Sequence, residues 1–241
     1  MKKLIFVTLL LSFSLLFAQE ETSSVYKQEA GDFNLELSVN PGSIFGSGSG
    51  STFSFINNSI KFRKFSTGFK AFRLGVGLNF NSDVDIIQEA DPDLDRLELK
   101  EYITTYTVSV MPGFEKHFEG TNRFSPYTGM QFLLSYSHTT LKNEIQFDDE
   151  VYTETFTNSP AGAGAAGLSV GLGVVAGFDY YITPKIYLGA ELGIGLEYMK
   201  MLESSYVNSY DHDLDTTQKH GYSINLSPGL STSGIRLGWV F

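Results

Sequence analysis

Apolar and polar residues alternate with a period of two along much of this chain. In Phe72, Leu74, Val76, Leu78 and Phe80 every second residue is apolar, and Arg73, Gly75, Gly77 and Asn79 lie between them. Leu168, Val170, Leu172, Val174, Ala176, Phe178 and Tyr180 repeat the pattern against Ser169, Gly171, Gly173, Gly177 and Asp179. So do Ile186, Leu188, Ala190, Leu192, Ile194, Leu196 and Tyr198 against Gly189, Glu191, Gly193, Gly195 and Glu197. A two-residue period sends alternate side chains to opposite faces of a β-strand, here one apolar and one small, polar or charged. A soluble sandwich or lipocalin-like barrel also alternates, so strand length has to decide. These runs reach thirteen residues, whereas a soluble strand averages about five or six. A strand that crosses a bilayer needs about nine to eleven, with apolar residues toward lipid and aromatics at the interfaces. The lengths favour the membrane.

Strands are predicted near residues 31–40, 58–65, 69–80, 101–118, 124–140, 165–182, 186–202 and 221–241. Short turns then fall at 66–68, 119–123 and 183–185, and long connections at 41–57, 81–100, 141–164 and 203–220. Three short and four long connections in strict alternation fit an all-β fold, an eight-stranded antiparallel transmembrane β-barrel with short periplasmic turns and long extracellular loops. Unpaired backbone groups are costly in hydrocarbon, so such a sheet must close on itself. Eight strands leave an interior that side chains fill, which argues against a wide pore.

The start of the chain changes the picture of where it goes. Met1-Lys2-Lys3, an apolar run from Leu4 to Phe17 and Ala18-Gln19 have the order of a secretory signal peptide, cleaved after Ala18. The run is too short for a spanning helix of about 20 residues. The expected division is a signal peptide at 1–18, a short periplasmic segment at 19–30 and a barrel domain at 31–241. The formal net charge of −10 becomes −12 once Lys2 and Lys3 are removed, a balance that disfavours nucleic acid or anionic lipid headgroups as partners of the overall surface. Seventeen of the 27 acids lie in residues 81–101, 141–163 and 203–220, so the acidity belongs to the expected loops. With no cysteine, disulfides, thiolate metal sites and cysteine nucleophiles are excluded.

The last strand ends Ile235-Arg236-Leu237-Gly238-Trp239-Val240-Phe241, with Ile235, Leu237, Trp239 and Phe241 on one face. It resembles the C-terminal signature of bacterial outer-membrane barrels, which the barrel-assembly machinery of Gram-negative cells recognises. With the alternation and the signal peptide, residues from about 30 onward resemble the small outer-membrane β-barrel family of OmpA-type, OmpX-type and OmpW-type domains. The resemblance implies a place in the cell outer membrane, with membrane lipids and lipopolysaccharide as partners and the assembly machinery as a partner during insertion. No peptidoglycan-binding segment is expected after Phe241.

Parity assigns Glu36, Lys61, Arg63, Arg73, Glu115, Asp179, Glu191, Glu197 and Arg236 to the interior, where both signs allow a static ion-pair network or a gated narrow path. Other candidate chemistry is thin. Asp91, Asp93 and Asp95 imitate the start of a calcium loop, but Arg96 stands where the turn glycine belongs and Tyr102 where the bidentate glutamate belongs. His212 and His220 have no zinc spacing. Gly46 to Gly50 lack the lysine of a phosphate loop. Some barrels that resemble this one act on lipid A, which needs a serine, a histidine and an acid together. His138 lies near Ser135 and Ser137, but its parity puts it on the lipid face, opposite the serines. No catalytic residue, cofactor or metal site is assigned. The expected role is non-enzymatic, in envelope structure or surface interaction through an unidentified extracellular ligand. The alternatives are a narrow channel or hydrophobic-solute conduit of OmpW type, and a lipid A-modifying enzyme.

Overall fold

The computed structural model describes residues 26–39, 60–88, 98–147, 150–159, 166–228 and 234–241. Twelve strands follow in chain order: β1 Phe33–Val39, β2 Ile60–Thr67, β3 Lys70–Gln88, β4 Glu98–His117, β5 Phe124–Phe147, β6 Glu150–Thr157, β7 Gly167–Thr183, β8 Ile186–Met201, β9 Ser204–Asn208, β10 Thr216–Gln218, β11 Tyr222–Pro228 and β12 Gly234–Val240. Eight of them pair in the order β1-β2-β3-β4-β5-β7-β8-β12, and β12 returns to β1, so the antiparallel ring closes. Closure pairs Leu37 with Leu237 and Leu35 with Trp239.

Tight turns join β2 to β3 and β7 to β8. At the second, Pro184 fixes its own φ while the Thr183 hydroxyl accepts from the backbone N–H of Lys185 and Ile186, at 3.3 and 3.1 Å. These turns and the 118–123 connection define one end of the ring, the turn end. Residues 26–32, placed by the sequence in a short periplasmic segment, fold across this end: the Gly31 N–H donates to the Phe65 carbonyl at 2.9 Å. Gly31 makes that turn at φ 101°, where a side chain would strain the backbone.

The two faces of the ring are inverted relative to a soluble fold. Outward positions are apolar and exposed, among them Phe80, Phe114, Met130, Leu172 and Leu192, the last at 73%. Inward positions include Glu36, Arg63, Asp179 and Arg236, each 0% exposed. The aliphatic interior is confined to small contacts, such as Met111 on Leu133.

At the other end, the loop end, the structure corrects the expected connections. Positions 81–88 and 98–100 extend β3 and β4. Within 141–164, β5 continues to Phe147 and turns into β6; within 203–220 lie β9 and β10. β5 pairs with β7 up to Ser137 and with β6 from Thr140 onward, and β9 and β10 follow β6, so a sheet leaves the ring and stands beyond it. Both faces of this sheet are polar or mixed, so no apolar alternation announces it. Within the expected strand at 221–241 the described residues form β11 and β12, both lying along the same partner β8; residues 229–233 lie outside the described residues. The expected signal peptide, the Gly46–Gly50 stretch and Asp91, Asp93, Asp95 and Arg96 lie outside the described residues.

Candidate functional site

Inside the turn half of the ring, eight of the nine charges assigned to the interior meet in one buried cluster, four cations against four anions. Lys61 Nζ is 3.1 Å from Glu191 and 3.8 Å from Glu36. Arg63 reaches Glu115 at 3.0 Å and Asp179 at 2.8 Å and contacts Glu36 through Nε. Arg73 spans Glu115 and Glu191, both at 2.9 Å. Arg236 spans Glu36 at 2.7 Å and Asp179 at 2.9 Å. Each guanidinium uses its fixed fork to bridge carboxylates from different strands, which a lysine could not do with the same geometry.

Tyrosines complete the cluster. Tyr187 OH donates to Glu36 at 2.8 Å and accepts from Arg63 at 2.6 Å, and Tyr127 OH donates to Glu191. The Arg63 guanidinium lies 5.1 Å from the Tyr187 ring centre, and Arg236 lies 5.1 Å from that of Tyr127. With Tyr127 from β5, every strand of the ring contributes a side chain. Gly238 makes room: a Cβ there would collide with the Tyr187 ring.

Below the cluster, the side chain of Gln28 closes the turn end. Its amide donates to Ser125 Oγ at 3.2 Å and lies 3.0 Å from His117 Nδ1, and its carbonyl oxygen accepts from Tyr181 OH. Tyr26 adds a hydrogen bond from Arg123 at 2.9 Å and lies 4.3 Å below its guanidinium. At this rim burial lowers the Lys27 pKa, opposed by the charge of Glu119.

One contact in the cap has the order of a hydrolytic triad: Ser125 Oγ is 2.9 Å from His117 Nδ1, and His117 Nε2 is 3.3 Å from Glu115. Its surroundings deny it that role. Gln28 covers the serine and the histidine, both arginines hold the carboxylate, and all three side chains are buried. His117 shares the parity of Glu115 and was legible as an interior residue. Gln28 was not, since it precedes any periodic strand.

The remaining candidates stay apart. Glu197 lies on β8 six positions beyond Glu191, outside the cluster and only partly buried. His138 stacks outward on Tyr106, ring centres 5.1 Å apart, away from Ser135 and Ser137. Tyr102 is a residue of β4. His212 contacts Asp215 at 3.3 Å and His220 contacts Ser204 at 2.7 Å. Among the described residues no three His, Cys, Asp or Glu side chains converge as a metal site. Ile235 and Phe241 are exposed, while Leu237 and Trp239 are half-buried on the same outward face of β12.

A family described as "Putative OmpA-OmpF-like porin family" matches residues 65–236. No curated protein matches the chain. Among solved structures, a major outer membrane protein from Thermus thermophilus is 13% identical, covering 88% of this chain and 100% of that one, with a TM-score of 0.38, too remote a likeness to bear on fold or function.

Proposed function

The chain belongs to the OmpA-OmpF-like porin family, and from that membership we propose that it is a non-enzymatic outer-membrane β-barrel whose lumen is sealed at the turn end. The apolar run Leu168–Tyr180 on β7 covers about 40 Å along the strand. At a tilt of ~40° that is close to the ~30 Å hydrocarbon thickness of a bilayer. The turn end then faces the periplasm, and the β6-β9-β10 sheet stands on the outside with the acidic segments. There it serves envelope structure or surface interaction.

The observation that carries the sealed reading is the ionic cluster, which spans the interior from wall to wall and, with Tyr127, draws on all eight strands. Gln28 adds a second closure beneath it. Buried charges persist only when paired, and this set is balanced. A gated narrow conduit is the second reading, favoured by the mixed signs of the cluster, since breaking the ion pairs would open a polar path. Planar-bilayer recordings decide between them. A sealed barrel gives no unitary conductance steps with the wild type, while Arg63→Ala combined with Arg236→Ala admits ions. Regular conductance steps from the wild type would overturn the sealed reading.

A further inference from the structure

Outside the ring, at the turn end, lies a feature the sealed lumen does not explain. Lys70 on β3 and Lys116 on β4 are direct cross-strand partners, and both point outward and are exposed. Lys64 on β2 is their diagonal neighbour, since it pairs with Phe72, two residues beyond Lys70. Like charges directly opposite each other destabilise a sheet. Inside the ring, Lys61, Arg63, Arg73 and Arg236 are all paired with carboxylates. Lys64 instead donates to the Gly31 carbonyl at 2.5 Å, and Lys116 lies 5.6 Å from the Phe118 ring. Among the described residues neither Lys70 nor Lys116 has a carboxylate within ion-pair distance.

From this pair an apolar furrow of about 1030 Å³ crosses the outer wall. Its course follows the pairing register from Lys116 to Thr128, Ala176 and Leu192, where two small side chains sit between the larger Phe114, Met130 and Val174. An apolar channel with a cationic end fits an amphiphile with an anionic head. A free anion would leave the furrow unused, and a neutral apolar molecule would leave the lysines facing each other. The lysines sit at the rim of the apolar belt, where ammonium groups on long stems reach lipid headgroups.

We propose that this face binds an anionic phospholipid, its phosphate held between Lys70 and Lys116 and one acyl chain lying in the furrow past Thr128 and Ala176. The site rests on the reading of the ring as membrane-embedded.

The test is native mass spectrometry of the detergent-extracted full chain after titration with phosphatidylglycerol or phosphatidylcholine. The wild type, the double variant K70Q/K116Q and the furrow-filling Ala176→Phe are compared, each first checked for a heat-dependent gel shift. The wild type should retain phosphatidylglycerol in preference to phosphatidylcholine. K70Q/K116Q should bind it roughly 30-fold more weakly, at about a kilocalorie per lysine. Ala176→Phe should weaken both lipids. Equal binding by the wild type and K70Q/K116Q, or no preference between the two lipids, overturns the site while leaving the barrel reading intact. A chain that stays out of lipid vesicles altogether overturns the membrane reading and the site with it.

Discussion

Strand β7 shows two regions of the molecule side by side. Near the loop end its inward residues are Gly167, Ser169, Gly171 and Gly173; near the turn end they are Asp179 and Tyr181. The outward face is apolar throughout, so the difference is confined to the interior. At the turn end the lumen is filled by paired charges and tyrosines drawn from every strand of the ring. At the loop end β7 contributes only small residues to it, and the wall continues as a sheet that leaves the ring through β6, β9 and β10. A ring whose outer face meets lipid gains less than a soluble fold from burying apolar side chains, so more of its internal cohesion comes from polar contacts. Those contacts are concentrated in one half. Stability should therefore be concentrated there too, with the loop half free to vary.

The largest expected difference comes from removing a shared cation. Arg63→Ala leaves Glu36, Glu115 and Asp179 buried with one fewer partner and should cost about 3–5 kcal/mol, read as a lowered urea midpoint in detergent. Gly238→Ala drives a methyl group into the Tyr187 ring, and overpacking of that kind costs about 1–3 kcal/mol. Equal stability of Gly238→Ala and the wild type would show that the tyrosine has room to move. Gln28→Ala removes the cap but leaves His117, Ser125 and Tyr181 beside water, so the expected cost is about 1 kcal/mol. The smallest effect belongs to Glu197→Gln, which shares parity with the cluster but lies outside it. Its unfolding free energy from urea titration should match the wild type to within about 0.5 kcal/mol, and a loss comparable to Arg63→Ala would erase the contrast between the halves.

The sequence made one half of this contrast readable. A charge at the polar parity of a long apolar strand has to point inward, which singles out Glu191 and Arg236 without any tertiary knowledge. Parity identifies a face but no height along the strand, so Glu197 could not be separated from Glu191. Gln28 owes its position to a fold-back after Gly31, which no periodicity encodes. The strands β6, β9 and β10 escaped for another reason: with both faces solvated or mixed, Val151, Thr153 and Thr155 alternate with Tyr152, Glu154 and Phe156 and no apolar face stands out. Their β-branched and aromatic content was the available signal. Outside the ring, ordinary surface chemistry prevails, as where the Lys142 ammonium, 2.7 Å away, holds the Glu144 carboxyl below the usual carboxylate range.

A closed ring with a charged interior is expected to cross a membrane. Fractionation of expressing cells, followed by electrophoresis of the protein with and without boiling in detergent, tests it most directly. The expected result is recovery in the outer-membrane fraction with a heat-dependent change in mobility, the mark of a closed barrel that resists detergent until heated. Recovery in the soluble periplasm, with one mobility before and after boiling, would contradict it.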